Sequence, residues 1–321
     1  MAAYVLRRLV YGVGVVMGVL FLLFVLFFTV TEPEDIARKA LGDKAPPEAI
    51  EQWKVNHGYD RPLWPWQDWD DNLLFEHYRK MLTFDFGLSD ADDSPIIDRI
   101  AEGMGPSLSL TVPLLVLGLM AAIPLSLLVA FFRETYIDRM GVLVCVFAMS
   151  VSTLLYIIGA QFLIGKLLRW YPISGFDVDP MLLPRFLALP IIVGLLSGIG
   201  SDVRFYRTVF LEESSRDFVR TARSKGASEV RIMARHVLRN ALIPILTHVV
   251  LAIPFLFTGS ILLEAFFGIP GLGSITVDAI QSNDFSTLRT MVYIGSLLFI
   301  LGQVLTDLSY GLVDPRVRFD S

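Results

Sequence analysis

Long uncharged apolar blocks separated by charged stretches dominate the chain, and they have the length of bilayer-crossing helices. The first, residues 9–30, follows Arg7 and Arg8 and would extend about 33 Å as a helix. It is too long for the core of a signal peptide and lacks a small-residue cleavage site, so it is expected to remain as a first span. Further blocks at 106–132, 140–165, 186–200, 241–263 and 291–313 bring the expected transmembrane helices to six. Pro113, Pro124, Pro244 and Pro254 lie inside these blocks and mark kinks that neighbouring helices can accommodate. Gly14 and Gly18 form a GxxxG pair suited to close helix contact. The expectation is an all-α membrane protein with a first helix (1–30), one larger extracytoplasmic loop or lid (31–105), a five-helix core (106–313) and a short tail (314–321).

A hydrophobic content of 54% over 321 residues excludes an ordinary soluble domain. The net charge of −5 is unevenly placed: residues 31–105 hold 17 acidic and 8 basic side chains, whereas 202–240 hold 9 basic and 5 acidic. Arg7, Arg8, Arg133, Arg139, Arg316 and Arg318 fall on the same side as the 202–240 cluster, and the positive-inside rule makes that side, with both termini, cytoplasmic. Lys166, Arg169 and Arg185 fall outside and are fewer. The acidic segment contains Trp53, Trp64, Trp66 and Trp69, and is expected to form short helices with tryptophans near the headgroups. Cys145 is the single cysteine, so no intrachain disulfide staples this segment. Ser150, Ser152, Thr153 and Gln161 are candidates for a polar path through the third block.

The stretch DFVRTARSKGASEVRIMARHVLRNALIP, from Asp217 to Pro244, interrupts the apolar pattern with ordered structure. Ser214 with Asp217 matches a Ser-x-x-Asp capping pattern, Gly226 sits where a helix stops in a left-handed conformation, and Ser228 can cap a second helix. Arg231, Arg235 and Arg239 recur along that second helix, which leads into the next span. On the first helix Phe218 and Ala222 share a face, and Ala222 with Gly226 leaves a small-residue surface that admits another protein's backbone.

The spacing of Ala222 and Gly226 ahead of a basic helix through His236, Val237 and Leu238 resembles the cytoplasmic coupling loop of bacterial ABC importer permeases. RTARSKG and RHVLRNALIP resemble the peptide and nickel-uptake branch of that family, although Arg220 stands where the general pattern has Glu and Arg239 where it has Pro. NHGYDRPL from Asn56, LTFDFGLS from Leu82, YPISGF from Tyr171, GSILLEAFFGIPGLG from Gly259 and DPRVRF from Asp314 are similar to the same branch, so the resemblance runs along the whole chain. It implies a multi-pass subunit of the bacterial cytoplasmic (inner) membrane that forms half of a translocation pathway for peptides or a related small solute. It further implies a second homologous permease, two ATPase subunits and an extracytoplasmic substrate-binding protein as partners. Phe218, Arg220, Thr221, Ala222, Lys225, Gly226, Arg235 and Leu238 would then face or support the ATPase. Pro270, Gly271 and Gly273 force a tightly turned or re-entrant segment, and Glu264 before it is either a gate or a hydrogen-bond anchor for that turn.

The chemistry of ATP hydrolysis is missing from the chain. GAQFLIGKL at Gly159 has the wrong spacing for a phosphate loop and lies inside a span, as does LSGIG at Leu196. His57, His77, His236 and His248 lack metal-ligand spacing, and no nucleophile-base arrangement is suggested. The chain is expected to be no enzyme and to hold no cofactor or nucleic acid, with ATP and Mg²⁺ bound by partner ATPase subunits. An ion-driven secondary transporter is the competing reading, but its usual inverted repeats and mid-membrane charges are not visible; Asp202, Glu264 and Asp307 lie towards span ends. A membrane protease or lipid-modifying enzyme would need a nucleophile or metal set that is not found.

Overall fold

A computed structural model describes residues 2–313 apart from 31, 32, 43, 57, 58, 60, 67, 69 and 70. The expectations for Trp69, for part of NHGYDRPL and for DPRVRF lie outside these residues, as does the side chain of Asp307. The described residues form helices and connecting turns, joined by one isolated bridge between Leu88 and Pro95. In order these are α1 (Ala2–Phe24), α2 (Pro33–Leu41), α3 (Pro47–Asn56), α4 (Leu73–Leu82), α5 (Ile96–Phe131), α6 (Tyr136–Ser150) and α7 (Thr153–Ala160). There follow α8 (Leu183–Ser214), α9 (Asp217–Ser224), α10 (Glu229–Arg231), α11 (Leu238–Thr258), α12 (Ile261–Phe267), α13 (Leu272–Gln281) and α14 (Phe285–Val313). Wider π-helical turns extend α1 over Val25–Val30, extend α7 over Gln161–Leu167, and join α10 to α11 over Ile232–Val237.

Among the described residues, five helices have the length and apolar character to cross a membrane: Val10–Thr29, Ile96–Phe131, Leu183–Ser214, Glu229–Leu256 and Phe285–Leu305. The third apolar block is not straight as expected, because α6 and α7 meet at an 85° bend. Val151 and Ser152 are extended there, in a Ser-Val-Ser-Thr run whose hydroxyls and β-branches favour helix ends over helix interiors. A second bend of 80° separates α12 from α13, at the Pro-Gly-Leu-Gly turn expected to be tightly turned or re-entrant.

Several boundaries move for local reasons. Helix α5 begins at Ile96 rather than at Pro106 and continues through Pro106, Pro113 and Pro124. The Ser109 hydroxyl donates to the Pro106 carbonyl at 2.7 Å, one of the local bonds that occupy backbone acceptors along this helix. Helix α11 ends at Thr258 rather than Leu263, because Gly259 turns the chain at φ +72°. Helix α14 starts at Phe285 rather than Met291, since Asp284 caps it by accepting from the Thr287 amide at 3.0 Å and hydroxyl at 2.6 Å.

Helix α8 is the central post, packing against α5, α6, α7 and α11, while α11 and α1 both pack on α14. Close approach is set by Gly200 of α8: a β-carbon there would stand 2.7 Å from the Cys145 carbonyl of α6. The Gly14 and Gly18 pair has open space around it instead of a neighbouring helix, and Gly12 faces Ile300.

The acidic segment packs tightly on the protein. Phe24 and Phe28 of the first helix stack at 5.1 Å, Trp64 meets Phe24 edge-on at 5.5 Å, and Trp64 stacks on Trp66 at 4.8 Å. Helix α4 lies along α1, where Tyr78 donates to the Met17 carbonyl at 2.8 Å and His77 Nε2 sits 3.1 Å from that of Leu20. Trp53 and Trp64 are therefore clamps onto neighbouring rings more than a headgroup belt, although Trp66 is exposed. Ser89 and Asp90, from the LTFDFGLS region, lock the segment to α14: Ser89 donates to Asp284 at 2.7 Å, and Asp90 accepts from the Ser286 amide at 2.7 Å and hydroxyl at 2.8 Å.

Candidate functional site

The basic loop is a helix-turn-helix elbow packed on the bundle. Its capping differs from expectation at the start: α8 runs through Ser214, whose hydroxyl bonds back to Leu211, and the residue before α9 is Arg216. At the turn the expectation holds. Gly226 has φ +78°, its amide donates to the Arg223 carbonyl at 3.0 Å, and the Ala227 amide donates to Ala222 at 3.2 Å. These paired bonds form a Schellman stop, which a β-carbon at Gly226 would strain. Ser228 occupies the cap position of α10 without a side-chain bond. Arg223 grips Glu229 across the turn through Nε at 2.6 Å and Nη2 at 3.0 Å, and that bond with its charge holds the Glu229 carboxyl below its usual range.

One face of the elbow is glued down. Val219, Ile232, Met233 and Val237 are buried with Val203, Tyr206, Phe210, Ala122 and Cys145, so the loop sits on α5, α6 and α8. Phe218, Ala222 and Leu238 are half-buried against that cluster, which turns the anticipated Phe218 and Ala222 face largely toward the protein itself. The exposed side is polar: Asp217, Arg220, Thr221, Ser224, Lys225, Gly226 and Arg235, with Val230 as an exposed apolar residue. Nothing lies within 4 Å of the space a Gly226 β-carbon would take. Nearby, Arg207 of α8 holds Asp138 of α6 with Nε and Nη2 both at 2.7 Å, and Asp138 also accepts the Glu134 amide at 3.0 Å. Val219 of α9 is thus packed in the same cluster as α8 residues, and α8 is tied to α6 by the Arg207–Asp138 pair.

The second candidate region is built around Glu264. Its carboxylate is fully buried and accepts from Ser107 Oγ at 2.9 Å, the Ser260 amide at 3.0 Å, the Gly273 amide at 2.7 Å and the Ser274 amide at 3.3 Å. Ser107 Oγ in turn accepts the Leu272 amide at 2.8 Å, so a Glu and a Ser from two other helices satisfy the first donors of α13. A β-carbon at Gly271 would collide with the Glu264 carboxylate and with Ser107. Of the two roles anticipated for Glu264, the hydrogen bonds to the Ser260, Gly273 and Ser274 amides are those the anchor role calls for. Pro270 lies exposed at the turn, while Gly271 and Gly273 are buried beneath it. Gly175, in the YPISGF loop, donates to the Phe267 carbonyl at 2.7 Å, and Gln161 donates to Phe266 at 2.9 Å and Ile173 at 3.1 Å. Gln161 thus bridges the end of α12 and the YPISGF loop, and Ser150 bonds its own helix at Val146.

The polar residues that do face a membrane cavity were not singled out for that role in the sequence. A cavity of about 390 Å³ opens between α5, α8 and α11, with apolar walls broken by Thr111, Asp202, Tyr206, His248 and Ser260. Tyr206 and His248 Nδ1 share a 3.0 Å hydrogen bond, and Thr111 donates to the Leu256 carbonyl at 3.0 Å, occupying one of the last carbonyls of α11. In sequence Asp202 and Tyr206 stand at the start of the charged 202–240 stretch while Thr111, His248 and Ser260 fall in or beside other apolar blocks, and only helix packing brings them together.

These features define a polytopic helical membrane protein with a basic elbow packed on its membrane-length helices. The family described as binding-protein-dependent transport system inner membrane component matches residues 122–319, and its N-terminal companion matches 1–111. The chain is 32% identical over 330 residues to a protein of Brucella abortus (strain 2308) named as a peptide transport system permease, with 100% of both chains covered. It is 31% identical over 330 residues to the glutathione transport system permease protein of Escherichia coli (strain K12), covering 99% of this chain and 100% of that one. The chain belongs to the binding-protein-dependent transport system inner membrane component family, in its peptide branch. It is a multi-pass inner-membrane permease subunit of an ABC importer.

Proposed function

We propose that the elbow formed by α9, the Gly226 turn and α10 receives the work of ATP hydrolysis from a cytoplasmic ATPase and passes it to the membrane helices. The observation that carries this reading is the two-sided construction of the elbow: Val219, Ile232 and Val237 are buried in the helix bundle, while Arg220, Thr221, Lys225 and Gly226 are exposed. Such a part moves as one body with α8 rather than as a tether. In this reading α1, α5, the bent α6–α7 pair, α8, the continuous α10–α11 helix and α14 make six crossings. The α12–α13 bend is re-entrant, both termini are cytoplasmic, and the acidic segment is an extracytoplasmic lid. Two ATPase subunits bind ATP and Mg²⁺, this chain contributes no ATPase site, and a second homologous permease supplies the other half of the path. The transported solute is a peptide of a few residues, glutathione and nickel complexes being the neighbouring choices.

Site-directed cross-linking tests the reading. In a Cys145→Ala background, Lys225→Cys places the chain's one thiol on the exposed side of the elbow. A short thiol-to-amine cross-linker should join it to the ATPase subunit in the assembled complex, with a yield that changes when ATP is added. Cross-links confined to this chain, in a complex that still contains the ATPase, would refute the coupling role. An ion-driven carrier would instead transport when reconstituted alone under a proton or sodium gradient.

A further inference from the structure

The cavity between α5, α8 and α11 contains a carboxylate that faces His248 across the wall and accepts no hydrogen bond among the described residues. Asp202 lines it from α8, half-buried, and among the described residues its carboxylate has no hydrogen-bond donor and no ion-pair partner. Arg207, on the same helix, is already engaged by Asp138. A carboxylate in a membrane helix is expensive unless it meets water or a cation, and such residues mark paths for polar solutes.

The surroundings suit recognition. His248, from α11, is held by its 3.0 Å bond to Tyr206 and by stacking on Phe205 with ring centroids 4.7 Å apart. Gly118, Gly194, Gly198 and Ala252 keep the adjoining walls low, and a β-carbon at Gly198 would meet nothing within 4 Å. A volume of about 390 Å³ is within the range of pockets that hold small solutes. Asp202 is the acidic residue of this wall, whose described lining holds no lysine or arginine, so a positive group meets an anionic partner there and no fixed cation.

We propose that Asp202 is a cation-recognising station in the translocation path, receiving the ammonium group of a passing peptide, whether its amino terminus or a lysine side chain. This rests on the peptide-importer reading above. Peptides rich in lysine are then favoured over those rich in glutamate by the permease itself, before any selection by a binding protein.

Two measurements on the assembled complex test it. In the Cys145→Ala background, Ala252→Cys puts the chain's one thiol in the cavity wall. Its labelling by the cationic methanethiosulfonate ethylammonium is compared with that by the anionic ethylsulfonate, read on this chain by mass. Adding Asp202→Asn should lower the cation-to-anion rate ratio about tenfold, the effect of one charge at about 6 Å in aqueous surroundings. An unchanged ratio, or a thiol that neither reagent reaches, overturns the inference. In proteoliposomes, Asp202→Asn should likewise lower uptake of trilysine relative to triglutamate about tenfold. Equal loss for both peptides marks Asp202 as a structural residue and overturns the inference while leaving the importer reading intact. Failure of the wild-type complex to take up any short peptide overturns the peptide reading itself, and this inference with it.

Discussion

Glu264 is where a single change should be most revealing. Its carboxylate accepts three short hydrogen bonds, from Ser107 Oγ at 2.9 Å, the Ser260 amide at 3.0 Å and the Gly273 amide at 2.7 Å, with a longer one from Ser274 at 3.3 Å. Hydrogen bonds to a charged acceptor contribute about 1.5–3 kcal/mol each, so the three short ones bound the loss in Glu264→Ala at about 5–9 kcal/mol. Sharing within the network makes that an upper range, yet it rivals the whole stability of a typical domain, about 5–15 kcal/mol. Glu264→Gln keeps the shape but presents an N–H₂ to one pair of donors, so it should lose roughly half as much. Ser107→Ala removes one charged bond and strands the Leu272 amide, for about 2–4 kcal/mol. Buried Cys145 supplies the assay, because as the chain's one cysteine its reaction with a thiol-specific fluorophore in mild detergent reports unfolding. Unfolding midpoints should descend from wild type through Ser107→Ala and Glu264→Gln to Glu264→Ala, by about 2–4 °C per kcal/mol. A Glu264→Gln protein that melts with wild type would refute the claim that a carboxylate organises this turn.

Other perturbations test other joints. Gly226→Trp strains the Schellman stop at φ +78° and covers the open surface there, so the protein should insert and assemble while peptide uptake no longer follows ATP hydrolysis; normal uptake would refute the elbow's role. Gly200→Val cannot be accommodated 2.7 Å from the Cys145 carbonyl, so α6 and α8 must separate; membrane yield should fall several-fold by quantitative blotting, whereas the open Gly14→Val should not change it. Burial and the Arg289 cation depress His77 from 6.5 to about 3, so the unfolded chain takes up a proton below pH 6.5 that the folded lid refuses. Stability from this site is therefore complete above about pH 6.5 and lost progressively as pH falls toward 3, and His77→Asn should flatten that slope in melts from pH 7 to about pH 4.5.

Much of the architecture was legible because membrane burial writes itself into composition. The first block, the block at 186–200 that becomes part of α8, and the elbow at Gly226 all have local causes: uncharged length, helix-compatible spacing, and a glycine where the backbone turns left-handed. Local patterns failed where a distant partner decides. The 85° break between α6 and α7 lies in a run with no proline or glycine at Val151 and Ser152. The start of α14 depends on Asp284, which also accepts from Ser89, nearly two hundred residues earlier. Phe218 and Ala222 do share a face of α9, but periodicity says nothing about whether that face meets a partner or the protein's own core.

The sequence by itself determined that this is a helical membrane protein with a basic turn between two spans, because hydropathy, charge and glycine chemistry act over a few residues at a time. It also carried the family, through short stretches from one end of the chain to the other. Tertiary structure alone decided that Glu264 accepts the first amides of α13, that Gln161 bonds both Phe266 and Ile173, and that Asp202, Tyr206 and His248 share one cavity. Each of those outcomes depends on which helix lies opposite, and in an all-apolar bundle that choice is made by packing of small residues such as Gly200 and by long-range polar bonds, neither of which leaves a periodic trace.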